Sequence, residues 1–164
     1  MSLERLWAGW RSAYVSNSDT KKNGGCVFCR LAEAEDREAA LVLEVTDTTL
    51  TVMNLYPYGS GHLLVAPRRH VADYDVLDER EVAAFAVAQQ RAVRAIKAAY
   101  QPDGLNLGAN IGRAAGAGIP DHVHMHVLPR WNGDTNFMTT VAEVRVLPED
   151  LQTGYKKLRA VWPS

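Results

Sequence analysis

The stretch His122–Pro129, HVHMHVLP, places three histidines two residues apart with apolar residues between them. Alternation of this kind is a strand signal, because successive side chains of a β-strand point to opposite faces. His122, His124 and His126 are therefore expected on one face, with successive Cα atoms roughly 6.5–7 Å apart. Val123, Met125 and Val127 form the other face, which belongs to the core. One histidine here would read as a polar residue facing water or hydrogen-bonded within the sheet. Three in register, out of five in the chain, point to chemistry. Two kinds fit: a metal site and phosphate chemistry. Imidazole suits both, since its ordinary pKa of about 6.5 leaves it largely neutral, and so nucleophilic, at pH 7.

Immediately upstream lies a glycine-rich loop, GRAAGAGIPD (112–121). Gly112, Gly116 and Gly118 let backbone N–H groups approach a ligand, and glycine tolerates the positive φ angles that anion nests use. Arg113, and Arg130 beyond the histidines, add charge. Alone, such a loop reads as an ordinary flexible connection; joined to this strand it favours phosphate. Before it, GLNLGANI (104–111) reads as a fourth strand. The clearest helix runs from about 79 to 100, with Asp78 as N-cap, Glu81 completing a capping box, and Val82, Phe85, Val93 and Ile96 at helical spacing. Pro102 and Gly104 end it.

Nearer the N-terminus, LVLEVT (41–46) and TLTVMN (49–54) flank a turn at Asp47 and read as a hairpin. HLLVAP (62–67) reads as a third strand, with His62 a structural residue at its start. A helix over 3–14, a loop over 16–25 and a short helix or turn over 31–40 precede them. After residue 130 come a loop (WNGDTN), a strand near 138–146 and an amphipathic segment following Pro148. The sum is α+β: a mostly antiparallel five-stranded sheet, one long helix and a C-terminal extension, in one domain over 1–164. Its parts are an N-terminal segment of about 1–35, a core of about 40–130 and the extension over 131–164.

The net charge of −1 argues against nucleic acid as a partner, because a long polyanion needs a basic face. No run approaches the length of a membrane span, and MSLERLWAGWRSAYV has no signal-peptide core. A cytoplasmic protein is expected. In that reducing setting the pair in Cys26-Val27-Phe28-Cys29 suggests metal or redox chemistry more than a disulfide. Zinc, a redox pair and two buried free thiols all remain open on spacing alone.

HVHMHVL matches at every position the histidine-triad signature, His-X-His-X-His-X-X with X apolar. LWAGWRSAYV, CVFC, NLYPYGSGHLLVAPRRH and PRWNGDTNFM extend the likeness, and the chain resembles the bacterial diadenosine tetraphosphate phosphorylase-like branch of that family. The resemblance implies a fold of that family and a homodimer using the 79–100 helix and the fourth strand. It implies that His124 is the nucleophile, that His126 bonds the phosphate oxygens, that Asn54 meets the ribose and that Asn110 lies near the scissile phosphate, with Gly116 and Gly118 lining the nucleotide. Without the family, each asparagine reads as a strand-end turn cap. The resemblance further implies a structural zinc on Cys26, Cys29, His70 and His122, and no catalytic cofactor. The chain departs from many relatives at Gly118 and Ile119, where they carry Gln and Ser or Thr.

The activity so implied is cleavage of a dinucleoside polyphosphate at its α-phosphate, through a nucleotidyl-histidine, with phosphate or water as acceptor. A nucleoside phosphoramidase or general nucleotide hydrolase is the alternative within the family. A non-catalytic nucleotide sensor and a metal-handling protein are the alternatives outside enzymology.

Overall fold

The computed structural model describes residues 25–135 and 148–163. The expected 3–14 helix, nearly all of the 16–25 loop and the strand near 138–146 lie outside them. Among the described residues, β1 (Val42–Val45), β2 (Thr49–Met53), β3 (Leu63–Pro67), β4 (Gly104–Gly108) and β5 (Met125–Arg130) form one sheet. Its order is β1-β2-β3-β5-β4, with every neighbouring pair antiparallel. The β1–β2 turn is closed by Thr46, whose hydroxyl accepts from the Thr49 N–H at 2.9 Å. No helix among these residues is long and apolar enough to cross a membrane.

Both strands around the glycine loop are shorter than their patterns suggest. The β5 ladder begins at Met125, not His122. The reason is competition: the Val123 N–H donates to the Val71 carbonyl at 2.7 Å, on the segment that follows β3. That diversion removes the partner residues 110 and 111 would need, so β4 ends at Gly108, opposite His126. Pro129, which has no N–H to give, lies beyond the part of β5 that pairs with β3.

Helix α1 (Val27–Ala32) lies ahead of the segment 31–40, for which a short helix or turn is expected, and overlaps it only at residues 31 and 32. Burial decides this: Phe28 is only 1% exposed, and removing such a ring from water contributes roughly 1.5–3 kcal/mol. Downstream, Asp36 accepts from the Ala39 N–H at 2.9 Å and sets a turn, the second of the two forms expected there.

Helix α2 (Glu79–Tyr100) has the expected capping box: Asp78 accepts from the Glu81 N–H and Glu81 from the Asp78 N–H. It packs on β2, β3 and β5. Phe85, Ala88, Ala92, Ala95 and Ile96 are its buried residues, so its alanine stripe serves contacts within the chain. Helix α3 (Leu151–Ala160) forms the amphipathic segment after Pro148; it buries Tyr155 and Leu158, and the Tyr155 hydroxyl donates to the Val42 carbonyl at 3.2 Å. Ahead of β3, Gly61 has φ +71, and a Cβ there would meet the Tyr100 ring at 2.7 Å. Only glycine allows that turn so close to the ring, and the turn delivers His62 to the start of β3.

Candidate active site

Helix α1 and the sheet meet at four potential ligands. Cys26 Sγ lies 3.2 Å from His122 Nδ1, Cys29 Sγ 3.5 Å from His70 Nδ1, and Cys29 Sγ 3.9 Å from His122 Nδ1. All four ligand atoms fall within 4.8 Å of one another. A tetrahedral ion with bonds of about 2.0–2.3 Å needs ligand atoms about 3.3–3.8 Å apart, so the spacing and the donor set fit such an ion. The outer contacts fit as well. His122 Nε2–H donates to the Pro67 carbonyl at 2.8 Å, which leaves Nδ1 as the free lone pair. Burial lowers the pKa of His122 and keeps it in the neutral, ligating form. Cys26 does cap a helix, as redox pairs do, but α1 leads into an antiparallel sheet and not into the βαβ unit of such pairs.

Two residues on, His124 is 4% exposed. Its Nδ1–H donates to the His122 carbonyl at 2.9 Å. The proton is therefore on Nδ1 and the lone pair on Nε2. Burial lowers its pKa too, which favours the neutral, nucleophilic ring. Its centroid lies 5.0 Å from the Phe28 ring and 5.1 Å from His126.

A relay fixes the tautomer of His126. The Tyr58 backbone N–H, which can only donate, reaches His62 Nδ1 at 3.0 Å, and the Asn54 amide lies 3.3 Å from the same atom. His62 must then carry its proton on Nε2, which donates to His126 Nδ1 at 2.9 Å. That leaves His126 with an N–H on Nε2, a donor suited to a phosphate oxygen. His62 is fully buried, and Tyr58 stacks on His126 at 5.6 Å.

Asn54 follows β2, and its Oδ1 accepts from the Tyr56 N–H at 3.0 Å. It is thus a turn cap as well as a neighbour of the histidines. Asn110 lies two residues beyond the Gly108–His126 pair and is half-buried. In the glycine loop, Gly112 and Gly116 take φ +77 and +84, as a nest requires. However, the Gly116 N–H donates to Arg113 O at 2.9 Å and the Ala117 N–H to Gly112 O at 3.3 Å. The Gly118 N–H carries no hydrogen bond among the described residues. Arg130 is partly engaged: Asp134 takes its guanidinium through two bonds of 2.6 and 2.8 Å, and Asn106 a third. Arg113 is exposed. A cleft of about 610 Å³ opens beside Tyr58, between Tyr100 and Trp131, and no histidine lines it.

The HIT domain model matches residues 35–133. The chain belongs to the HIT domain family. An AP-4-A phosphorylase of Mycobacterium tuberculosis (strain ATCC 25618 / H37Rv) is 35% identical over 166 residues, covering 98% of this HIT chain and 85% of its own. Among solved structures, a Zn-bound histidine triad family protein from Mycobacterium smegmatis superposes with a TM-score of 0.66 at 30% identity, over 83% of this chain and 91% of that one. A hypothetical histidine triad nucleotide-binding protein from Sulfolobus tokodaii gives 0.66 at 30%, over 82% and 90%. The HIT fold expected from the sequence, an antiparallel five-stranded sheet with few helices, is the one observed.

Two residues of this HIT site escape a reading along the sequence. His62 is no mere strand-start residue, since it holds His126. The signal was its parity: Leu64 pairs with His126, so His62, two residues earlier, shares that face. Phe28 gave no signal beyond lying between the two cysteines.

Proposed function

We propose that this HIT protein cleaves a dinucleoside polyphosphate of the diadenosine tetraphosphate class through a nucleotidyl-histidine on His124. The observation that carries the reading is the His124 Nδ1–H bond to the His122 carbonyl, which leaves the lone pair on Nε2 of a ring 5.1 Å from that of His126. In the first step Nε2 bonds the α-phosphorus while the bridging P–O bond breaks, and its electron pair leaves with the departing nucleotide. The His122 carbonyl then supports the charge that spreads over the His124 ring. His126 Nε2–H, the Gly118 N–H and Asn110 stabilise the phosphorus oxygens, Asn54 takes the ribose, and Gly116 shapes the loop around the nucleotide. In the second step the acceptor attacks phosphorus and releases Nε2.

Phosphate as acceptor gives ADP plus ATP; water gives AMP plus ATP. The likeness to an AP-4-A phosphorylase supports phosphate. The engagement of Arg130 by Asp134 and the internal bonds of the glycine loop favour water. Titrating phosphate into the reaction and chromatographing the products separates them. A rate that rises, with ADP replacing AMP, supports phosphorolysis; a rate that falls, with AMP retained, leaves hydrolysis. His124→Ala is expected to lose turnover by at least about 100-fold while still binding nucleotide, and near-native turnover in that variant would overturn the mechanism.

Two further parts belong to this reading. Cys26, Cys29, His70 and His122 hold one structural zinc, which ties α1 to the sheet and supplies no chemistry to the reaction. The protein works as a cytoplasmic homodimer joined along β4, which ends the sheet among the described residues and whose Leu107 is 48% exposed; Ile111 beyond it and Val87 of α2 are exposed as well.

A further inference from the structure

Among the described residues, Phe28 links the turn that carries the cysteine pair to the ring of His124. It lies between Cys26 and Cys29 in the same helical turn. Its ring meets the metal-cluster ring of His122 edge-on, at 5.2 Å and 68°, and tilts against His124 at 5.0 Å and 46°. His122 in turn offers its imidazole to the cluster and its carbonyl to His124. The His124 ring thus keeps its Nδ1–H on the His122 carbonyl only in the plane that the rings it touches set.

Helix α1 cannot hold Phe28 there by itself. It has six residues and no side-chain cap at Cys26, and a helix so short is unstable alone in water. The buried Phe28 ring, the packing of Val27, Leu31 and Ala32 on the core, and the Cys26 and Cys29 contacts with His122 and His70 together anchor it.

We propose that Phe28 is a positioning residue through which the Cys26, Cys29, His70 and His122 cluster sets the plane of the His124 imidazole. As a statement about catalysis, this rests on the reading of His124 as the nucleophile. A ring turned away from the in-line direction loses rate and not affinity, because small displacements of a reacting group cost much at the transition state.

The test uses Phe28→Leu, which keeps an apolar side chain and removes the ring. Expected are about one zinc per chain as in the wild type, a KM within about 2-fold, and a kcat lower by about 10-fold. Long-range 1H–15N spectra of the imidazoles supply a readout independent of turnover: His124 should move from a single Nδ1–H pattern toward a mixture. The wild-type protein stripped of metal by a chelator under reducing conditions should show the same change, reversed by adding zinc. Wild-type kcat and an unchanged His124 pattern in Phe28→Leu would overturn the proposal. So would a stripped wild-type protein whose His124 pattern does not move. If Phe28→Leu does not fold, the stripped protein decides. If the wild-type enzyme turns over no dinucleoside polyphosphate, the mechanism above fails, and the spectra still decide the role of Phe28.

Discussion

His62 shows how one buried ring controls another at a distance from any substrate. Its Nδ1 must accept from the Tyr58 N–H, so its Nε2–H must point to His126. His62→Phe keeps a ring of similar size and removes both bonds. The Tyr58 N–H is then left without its acceptor, at a cost of about 1–3 kcal/mol, and His126 is free to take the wrong tautomer. The expected result is a kcat lower by about 10- to 100-fold with a KM nearly unchanged, measured by steady-state kinetics; a wild-type kcat would show that the relay is irrelevant. The three histidines of the HxHxH motif are legible in the sequence because period-two spacing is local. His62 is not, because its partner lies 64 residues away and only the strand order brings the two together. The same applies to Arg130: its charge is plain in the sequence, but its capture by Asp134 depends on the shape of the turn at 131–134.

Helix α2 was legible almost to the residue, since its signals are caps and periodicity, both local. Helix α1 is not legible in the sequence, since its position follows from where Phe28 finds a buried site. Each helix supports a test. In α2, two bonds from Arg69 and the Asp78 N–H hold the Glu81 carboxyl at a pKa of about 2. A carboxylate whose folded pKa lies below its ordinary value of about 4.3 stabilises the fold above that value and loses the contribution as pH falls toward 2. Glu81→Ala should therefore lower stability by about 1 kcal/mol at pH 7, with a gap from wild type that narrows between about pH 4 and pH 2. Urea unfolding at several pH values checks this, and a gap that widens on acidification would refute it. In α1, purified protein is expected to carry about one zinc per chain, and chelation should lower the Tm by about 5 °C or more. Metal analysis giving no zinc, or a Tm indifferent to chelator, would remove the ion from the account.

At the scale of the whole fold, β4 ends the sheet on the side nearest the site and β1 on the other, among the described residues. Light scattering at micromolar concentration should give a dimer, and Leu107→Lys on the β4 edge should give a monomer, since a charged edge residue blocks strand-to-strand pairing. A wild-type monomer would refute the assembly. The alanine stripe of α2 had left room for a partner in the sequence, yet Ala88, Ala92 and Ala95 are buried within the chain, so this prediction rests on β4. The strand order also governs how the molecule forms. Although β4 precedes β5 in the chain, among the described residues it pairs only with β5, and β5 reaches the rest of the sheet only through β3. The β1–β2 hairpin closes over a short turn and belongs to the fast, local events; joining β3 to β5 must first close a span that includes all of α2. The histidine-bearing strand is consequently among the last pieces to dock, and β4 docks with it or not at all. Lengthening the glycine loop should slow folding more than it weakens the folded state, for each doubling of a flexible loop costs only about 0.6 kcal/mol. A chain caught midway would display an assembled hairpin and helix with no triad, inert toward nucleotides and sticky along the bare edge of β3.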